Sequence, residues 1–319
     1  MKPPLVSILM SAYNAERFIE KAVDSALNQT YKNIELVIVN DGSTDKTEEK
    51  IRRYRKDSRV VYHDQENAGV SRARNKAFEL SRGKYITFLD PDDYYHPEKA
   101  EQEVRFLESH PECGAVYCHF ISFYEDEPEK FLHYRRARFS GDIFAPLLRW
   151  NLINPNVLMM RREVFAAAGG FDPGFRDAED WDLWLRMARR GVRFGFIPEE
   201  LHYNRLRKGS HSRFENQYRM KRSNVRSLER IFSEMSDEER RKYGAEQVMR
   251  NTRLKLAVAY LVAGRREEFE GTLRQAWEKF PLSVLCRLLV SLVRILPISF
   301  VSAAIQSLWA SKQRRLLGG

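Results

Sequence analysis

Apolar positions in the first hundred residues fall into short runs that alternate with stretches of helical spacing. The apolar runs are "LVSILM" (5–10), "IELVIVND" (34–41), "RVVYHD" (59–64) and "KYITFLD" (84–90). Between them, apolar residues three and four positions apart predict helices over residues 17–27, 46–57 and 69–80. Apolar strands that alternate with helices predict a parallel α/β sheet covered on both faces.

Polar residues follow three of these predicted strands where they end. Tyr13, Asp41 and Asp90 come directly after or at the end of the first, second and fourth strands. Parallel α/β sheets bind ligands at the carboxyl ends of their strands. The pattern therefore predicts a ligand site at this edge of the sheet.

The alternation is less regular after residue 100. "GAVYCHFISFY" (114–124) predicts another strand, and the polar residues 125–142 predict a surface excursion. "EDWDLWLRMARRG" (179–191) has helical spacing and ends at a glycine, a common helix stop. Residues 213–279 are highly charged and helical in spacing.

Net charge differs sharply between the two parts of the chain. The 319 residues carry a net charge of +10, yet residues 1–212 hold 33 Lys and Arg against 33 Asp and Glu. The whole excess lies in residues 213–319, so it describes an appendage and does not predict a nucleic-acid partner.

Cysteine usage and the N-terminus point to the cytoplasm. The three cysteines are irregularly spaced and form no zinc-binding pattern, which predicts reduced thiols. Strand-like sequence begins by Leu5, so we expect no signal peptide.

Three carboxylates stand within four positions where the fourth predicted strand ends: Asp90, Asp92 and Asp93. Mg²⁺ and Mn²⁺ prefer oxygen ligands, keep several waters and share coordination with substrate phosphates. The D-x-D pair of Asp90 and Asp92 therefore predicts a divalent-cation site that is open to a diphosphate. The alternative is a solvated turn whose aspartate caps the next helix.

Two further clusters carry candidate chemistry. Arg72 and Arg74 follow a turn at residues 67–69 and are suited to meet phosphate, although solvated arginines on a helix face are common. "FRDAEDWDLWLRM" holds four acids within residues 177–182, more than helix-dipole stabilisation requires. A carboxylate there, partly shielded by Trp181 and Trp184, is a candidate general base. Serine-hydrolase, dinucleotide-binding and P-loop motifs are absent.

Together these motifs resemble those of the family 2 glycosyltransferases, which are inverting, nucleotide-sugar-dependent enzymes of the GT-A type. The resemblance covers about residues 4–212, and the matching stretches are "VSILMSAYNAERFIEKAVDSALNQTYKNIELVIVNDGSTD" (6–45), "NAGVSRARNKAFELSRGKYITFLDPDDYYHPE" (67–98) and "FDPGFRDAEDWDLWLRMARRG" (171–191). It implies a Rossmann-like, mostly parallel sheet with flanking helices over residues 1–212. Beyond the resemblance, charge and helical spacing predict a basic α-helical C-terminal region over residues 213–319.

The resemblance also implies a role for individual residues. Tyr13 in "SAYN" would lie against the nucleotide base, Asp41 in "NDGS" would accept a hydrogen bond from it, and Asp90 would contact the ribose. Nucleotide-sugar binding would further involve Ser11, Arg74 and Arg205.

On the diphosphate side, the resemblance implies that Asp92 holds Mn²⁺ or Mg²⁺ with His211 as a second metal ligand. Asp180 would be the catalytic base. The expected activity is that of a hexosyl- or related glycosyltransferase, acting in polysaccharide, lipopolysaccharide or glycolipid assembly.

The expected partners are a nucleoside-diphosphate sugar and a carbohydrate or lipid-linked acceptor. Asp41 would suit the imide hydrogen of uracil or thymine, which favours UDP- or dTDP-linked donors. Two alternatives are a nucleotidyltransferase acting on sugar phosphates and a non-catalytic nucleotide-sugar-binding protein.

A 23-residue apolar stretch, "LLVSLVRILPISFVSAAIQSLWA" (288–310), lies in the basic C-terminal part. Arg294, Pro297 and Gln306 interrupt it and basic residues follow it, which favours a helix lying in the membrane interface over one that crosses the bilayer. We therefore expect a cytoplasmic protein, peripheral on the inner face of the cell membrane. Packing of this helix on the protein itself is the alternative.

Overall fold

The computed structural model describes residues 2–134, 139–175, 177–207 and 217–277 of the chain. They divide between two compact units, one within residues 1–208 and one within residues 209–319. The predicted domain boundary at residue 212 lies outside the described residues.

The first unit is built on one mixed β-sheet. Its described strands are β1 (Val6–Ala12), β2 (Ile34–Asp41), β3 (Val60–Gln65), β4 (Tyr85–Phe88), β5 (Tyr94–Tyr95), β6 (Cys113–Tyr124), β7 (Glu127–Tyr134), β8 (Leu158–Arg161) and β9 (Arg193–Leu206). They lie in the order β3-β2-β1-β4-β8-β6-β9-β5, and β7 pairs with β6.

The half of the sheet formed by β3, β2, β1 and β4 is parallel. All eight residues of β2 are buried, as expected for a central strand covered on both faces. Because these strands run in one direction, they end at the same edge of the sheet, at Ala12, Asp41, Gln65 and Phe88. This arrangement confirms the α/β alternation that the apolar runs predict.

The other half mixes strand directions. β8 is antiparallel to both β4 and β6, whereas β9 is parallel to β6 and antiparallel to β5. β7 is antiparallel to β6 and occupies part of residues 125–142, for which the sequence predicted only a surface excursion. β7 is largely exposed, so its polar sequence carries no strand-like alternation.

Helices flank this sheet: α1 (Ile19–Leu27), α2 (Thr47–Arg52), α3 (Val70–Leu80), α4 (Lys99–Ser109), α5 (Phe144–Leu147), α6 (Arg162–Ala167) and α7 (Glu179–Arg189). α1 illustrates why they pack, since Ile19, Ala22, Val23 and Ala26 form one buried stripe at helical spacing. Full burial of a side chain such as Ile19 or Val23 contributes about 1.5–3 kcal/mol.

The second unit is helical where it is described, with α8 (Gln217–Ser233), α9 (Asp237–Tyr243), α10 (Ala245–Val262) and α11 (Arg266–Trp277). Ser236 and Glu239 form a reciprocal capping box at the start of α9, and Gly244 ends it in the left-handed conformation. The unit has its own apolar core, which includes Leu256, Tyr260 and Phe269. The predicted α-helical character of the C-terminal region is therefore confirmed for residues 217–277.

None of the helices in the described ranges is long and apolar enough to cross a membrane. The apolar stretch 288–310 lies outside those ranges. Its predicted position in the membrane interface therefore stays a prediction.

Candidate active site

The loop after β1 is tied to the turn after β2 at the carboxyl edge of the sheet. Asn14 adopts a φ of 47°, its amide donates to the Ser43 hydroxyl at 3.0 Å, and its side chain accepts from the Thr44 amide at 2.8 Å. Ser11 is half-buried just before this loop, and Tyr13 is 52% exposed. The loop thus presents an exposed aromatic ring on a fixed backbone.

Asp41, at the end of β2, is buried and organises the turn that leads into α3. Its Oδ1 accepts from Gln65 Nε2 at 2.7 Å and from the Ala68 amide at 2.9 Å, and its Oδ2 accepts from the Gly69 amide at 2.9 Å. A carboxylate offers about four acceptor positions, so these three donors do not saturate it. Asp41 therefore fixes the turn and retains capacity for one further donor.

Gly42 is required by this arrangement. Its φ is +71°, and a Cβ there would lie 2.7 Å from the Asn67 amide nitrogen. Asn67 in turn donates from Nδ2 to the Asp41 carbonyl oxygen at 2.9 Å. Only glycine permits this close approach of the two turns, which explains the Asp-Gly of "NDGS".

Asp90 follows β4 and is held by two side chains from distant parts of the chain. Its Oδ1 accepts from Arg74 Nη2 at 2.8 Å, and its Oδ2 accepts from Asn156 Nδ2 at 3.0 Å. Burial acts to raise the pKa of Asp90, but the Arg74 guanidinium and the Asn156 amide outweigh it and lower that pKa. Asp90 is therefore a fixed, ionised acceptor.

Arg74 connects Asp90 to the acidic start of α7. Its Nη1 donates to Glu179 Oε1 at 2.8 Å, its side chain is only 5% exposed, and it lies over the Phe171 ring at 5.4 Å. Burial acts to lower the pKa of Arg74, but the charges of Asp90 and Glu179 raise it, so it stays a cation. One buried guanidinium thus bridges the acids after β4 and those of α7.

Asp180 sits beside Glu179 but has neutral partners. Its Oδ2 accepts from Asn151 Nδ2 at 2.9 Å, and its Oδ1 accepts from the Trp181 amide at 2.7 Å. Burial raises the pKa of Asp180, although these two hydrogen bonds oppose the rise. Burial likewise raises the pKa of Glu179 to about 7 against the opposing charge of Arg74.

The backbone just before these acids is in an uncommon conformation. Ala178, the N-cap of α7, has a φ of 59° and a ψ of 28°, in the left-handed region. A non-glycine residue there is unfavourable and is typical of functional sites. It sets the direction in which α7 presents Glu179 and Asp180.

Trp181 and Trp184 have a different role from the predicted shielding of a carboxylate. Both indoles are almost fully buried, and their Nε1 atoms donate to the carbonyl oxygens of Leu147 at 2.8 Å and Ile153 at 3.1 Å. They therefore hold both ends of the segment that carries Asn151. The tryptophans position the partner of Asp180 from within the core.

The third acid of α7 is structural. Asp182 is fully buried and accepts from Arg186 Nε at 2.9 Å, one helical turn away. Arg186 Nη2 also donates to the Gly170 carbonyl oxygen at 2.7 Å. This pair fixes α7 against the preceding loop and accounts for one of the surplus acids.

Asp92 meets two arginines from the end of β9. Its Oδ2 forms an ion pair with Arg207 Nη2 at 2.7 Å, and its carbonyl oxygen accepts from Arg205 Nε at 2.9 Å. Burial and the like charges of Asp93 and Asp90 raise the pKa of Asp92 to about 7, and Arg207 opposes the rise. The ionised form of Asp92 is therefore disfavoured, although Arg207 pairs with it.

Asp93 is the structural member of the three acids after β4. Its Oδ2 accepts from Asn156 Nδ2 at 2.9 Å and lies 3.0 Å from His202 Nε2. Its Oδ1 accepts from the Arg205 amide at 2.8 Å. The residue thus joins β9 to the turn that presents Asp90 and Asp92.

The predicted site residues fall into three groups. Arg74 and Asp90 are in contact, and Asp180 stands next to Glu179, the other partner of Arg74. Asp92 and Arg205 are in contact, whereas Ser11, Tyr13 and Asp41 lie at the ends of neighbouring strands β1 and β2. His211 lies outside the described residues.

Sequence reasoning missed several polar residues that hold these groups in place. They are Asn151, Asn156, Glu179 as a partner of Arg74, His202 and Arg207. Glu179 has a visible signal, since it adjoins the predicted base. The two asparagines stand in a loop-like stretch whose pattern indicates no role.

The sequence profile of the family "Glycosyl transferase family 2" matches residues 7–167, about half of the chain. The chain belongs to this family. The match spans β1 to α6 and therefore contains Asp41, Arg74, Asp90 and Asp92.

Similar proteins include several that are named as glycosyltransferases. The chain is 35% identical over 194 residues to "Uncharacterized glycosyltransferase RT0329" of Rickettsia typhi, which covers 58% of this chain and 59% of the relative. It is 36% identical over 167 residues to "Putative glycosyltransferase EpsH" of Bacillus subtilis, which covers 47% of each chain. The chain thus spans less than two thirds of these relatives.

Solved structures with the same fold bind nucleotide sugars. TarS of Staphylococcus aureus in complex with UDP-GlcNAc has a TM-score of 0.59 at 18% identity, and the match covers 86% of this chain and 91% of that one. Mannosyltransferase PcManGT from Pyrobaculum calidifontis, in complex with GDP-Man and Mn²⁺, has a TM-score of 0.59 at 19% identity. That match covers 99% of this chain and 88% of the mannosyltransferase. At this identity they establish the fold, which confirms the GT-A prediction.

A divalent metal can be tested against the residues at Asp92. Within the described ranges, no group of three or more His, Cys, Asp or Glu residues is arranged to hold a metal ion by itself. Asp92 does offer a hard oxygen ligand, and a cation there would offset its repulsion with Asp93 and Asp90. The site therefore fits a cation that takes one protein carboxylate and completes its coordination with diphosphate oxygens and waters.

Proposed function

We propose that this protein is an inverting glycosyltransferase that moves a sugar from a nucleoside-diphosphate donor to an acceptor hydroxyl. The observation that carries the proposal is the Arg74 bridge, which joins the acid after β4 to the acid next to Asp180. A donor-binding carboxylate and a candidate base are thereby held in one rigid frame. Membership of family 2 supports the same assignment.

On the donor side, Tyr13 and Ser11 contact the nucleotide, and the remaining acceptor capacity of Asp41 binds the base. Asp90 contacts the ribose while Arg74 keeps its carboxylate ionised. Arg205 is fixed by Asp92 and Asp93 and lines the diphosphate side. UDP- or dTDP-linked donors are favoured because the imide hydrogen of either base suits Asp41.

Asp92 binds Mn²⁺ or Mg²⁺, with His211 as an additional ligand. A divalent cation there would neutralise the negative charge that develops on the departing diphosphate. Asp92 supports this role because a cation there would offset its repulsion with the neighbouring Asp93 and Asp90. The Mn²⁺ in the PcManGT complex is a further argument for a metal of this kind.

Asp180 accepts the proton of the acceptor hydroxyl as that oxygen attacks the anomeric carbon. Its neutral partners, Asn151 and the Trp181 amide, orient the carboxylate without neutralising it. Glu179 is less suited to this task because the Arg74 ion pair occupies it. A single displacement from the face opposite the leaving group inverts the anomeric centre, as with a single base in inverting glycosidases.

The acceptor is a carbohydrate or a lipid-linked sugar in polysaccharide, lipopolysaccharide or glycolipid assembly. The basic region 213–319, with its apolar stretch 288–310, would hold the protein on the inner face of the cell membrane, beside such an acceptor. Residues 1–212 would then form the catalytic domain. No nucleic acid takes part.

The test is a panel of donors incubated with Mn²⁺ and, in parallel, with a chelator. We expect release of nucleoside diphosphate from one class of donor and its loss with the chelator. Pyrophosphate release from a nucleoside triphosphate would indicate a nucleotidyltransferase. No release from any nucleotide would favour a non-catalytic binding protein.

A further inference from the structure

The ion pair between Asp92 and Arg207 occupies the carboxylate that the proposed function assigns to the metal. Arg207 Nη2 lies 2.7 Å from Asp92 Oδ2. Arg205, two residues earlier, donates instead to the Asp92 carbonyl oxygen and is held to Asp93 through its amide. Arg205 can therefore stay in place when the carboxylate changes partner, whereas Arg207 cannot.

Among the basic side chains that contact the acids after β4, Arg207 makes the most exchangeable contact. The side chains of Arg207 and Asp92 are 37% and 20% exposed. By contrast, Arg74 on Asp90 is 5% exposed, and His202 on Asp93 is fully buried. Partly exposed ion pairs stabilise proteins only weakly, so a divalent cation displaces Arg207 from Asp92 easily.

The guanidinium of Arg207 is also incompletely satisfied. Its Nε is buried and has no hydrogen-bond partner within the part of the chain that the structure describes. Its other contact is with the ring of Phe18, whose centroid lies 5.5 Å from the guanidinium carbon and 4.6 Å from that of Arg205. The aromatic ring keeps both cations beside Asp92 without consuming their donors.

We propose that Arg207 is the counter-ion of Asp92 in the donor-free protein and a diphosphate ligand once donor and metal bind. Asp92 would then hold the metal, and the guanidinium of Arg207, released from that carboxylate, would turn to the phosphate oxygens, whose geometry matches its planar set of N–H donors. The leaving nucleoside diphosphate carries more negative charge than the donor, so a second cation there stabilises the departing group. This inference rests on the proposed function.

Exchange of this kind makes metal and nucleotide binding cooperative. Without nucleotide, the metal must break the Arg207 pair; with nucleotide, Arg207 gains phosphate contacts when the pair breaks. By linkage, the nucleotide then raises metal affinity by the factor by which the metal raises nucleotide affinity. Arg207→Gln removes both effects.

The experiment measures Mn²⁺ affinity of the full chain from the electron paramagnetic resonance signal of free Mn²⁺, with and without UDP, dTDP or GDP. Work at about pH 8.5 keeps the carboxylates ionised. Arg17→Gln is the matched control, because Arg17 lies over the same Phe18 ring at 5.0 Å but pairs with Glu125. Arg207→Lys keeps the charge and tests the fork.

Without nucleotide, we expect Arg207→Gln to bind Mn²⁺ about 2- to 5-fold more tightly than the wild type. The gain in Mn²⁺ affinity caused by the nucleotide should fall roughly tenfold in Arg207→Gln, since charged hydrogen bonds to the diphosphate are lost. Arg207→Lys should match the wild type without nucleotide and lose part of the gain with it. Arg17→Gln should match the wild type throughout.

Unchanged or weaker Mn²⁺ binding by Arg207→Gln without nucleotide, or an equal change in Arg17→Gln, would overturn the role of Arg207. The proposed function would survive that result as long as the wild type binds Mn²⁺ together with one of the nucleotides. A wild type that binds Mn²⁺ with none of them would overturn both.

Discussion

Asp90 and Asp180 are two half-buried aspartates of one site, yet their environments shift their pKa values in opposite directions. Asp90 is paired with the Arg74 cation, and its pKa is lowered. Asp180 is bound by an asparagine and a backbone amide, and burial raises its pKa. The difference teaches that the Arg74 cation outweighs burial at Asp90 and favours its anion, whereas the neutral partners of Asp180 do not outweigh burial and leave it basic enough to take a proton.

The largest effect is expected at the basic side of this comparison. Asp180→Asn keeps the size of the side chain, and its remaining oxygen can still accept from the Trp181 amide, but it removes the ability to accept a proton. Transfer to acceptor should fall by about 10²–10⁴-fold. The measurement is single-turnover transfer of a labelled sugar, with Asp177→Asn from the same acidic stretch as the matched control. A loss of less than about threefold would mean that the base lies elsewhere.

The binding side is tested at Asp92. Asp92→Ala should lower metal-dependent transfer by at least about 10²-fold, because the carboxylate that anchors the cation is lost. The strand-end turn should keep its fold, since Asp93 supplies its contacts to β9. Transfer rates over a Mn²⁺ titration and circular dichroism give the two readouts. Undiminished transfer that still requires metal would refute the assignment of Asp92.

The link between the two sides is tested at Arg74. Arg74→Met leaves Asp90 and Glu179 without their buried cation, and breaking such a pair costs about 3–5 kcal/mol. Arg74→Lys keeps the charge but cannot reach both acids in the same way, so it should lose less stability. Thermal unfolding and transfer rates measured together check this. Equal stability of the wild type and Arg74→Met would show that the bridge has no structural importance.

The pH dependence should follow the basic side. A base with a raised pKa is ionised only as pH rises, so kcat should increase with pH on the acid side of its profile. The stability of the fold should change with pH in the opposite direction because of Glu179. Its pKa of about 7 lies above its unfolded value, so its contribution to stability is complete below the unfolded pKa and is lost as pH rises through about 7. A kcat that does not rise with pH on the acid side of its profile would contradict the assignment of Asp180.

The smallest effect on chemistry is expected from the C-terminal region. A chain that ends at Pro281 should still release nucleoside diphosphate but should no longer sediment with anionic liposomes. The full chain should sediment with the liposomes. Salt should weaken this binding, because it depends on the attraction of basic residues to anionic lipid, about 1 kcal/mol for each residue near the surface. Equal sedimentation of both chains, or of neither, would remove the argument for a membrane acceptor.

Much of the fold could be predicted because each strand of its parallel half is a local apolar run in the sequence. The apolar runs before Tyr13, Asp41 and Asp90 correspond to β1, β2 and β4. The direction of β8 could not be predicted, since an apolar run of four residues is compatible with parallel or antiparallel pairing. β7 was not predicted as a strand, because an exposed strand buries too little surface to need apolar residues.

The site could be predicted only as far as its residues stand in recognisable motifs. The family resemblance singled out Asp92 and Asp180, but their partners come from far along the chain. Arg74 meets Glu179 across 105 residues, and Asn156 meets Asp90 across 66. Such contacts depend on tertiary packing, as with the two tryptophans that fix the segment around Asn151.

The division of the site into a binding side and a basic side is tested most directly by a crossed calorimetric titration. The donor that the wild type uses is titrated, with and without Mn²⁺, into Asp180→Asn and Asp92→Asn. We predict that Asp180→Asn binds the donor as the wild type does and retains the Mn²⁺ enhancement, whereas Asp92→Asn loses that enhancement. Loss of donor binding in Asp180→Asn, with an intact Mn²⁺ enhancement in Asp92→Asn, would contradict the account.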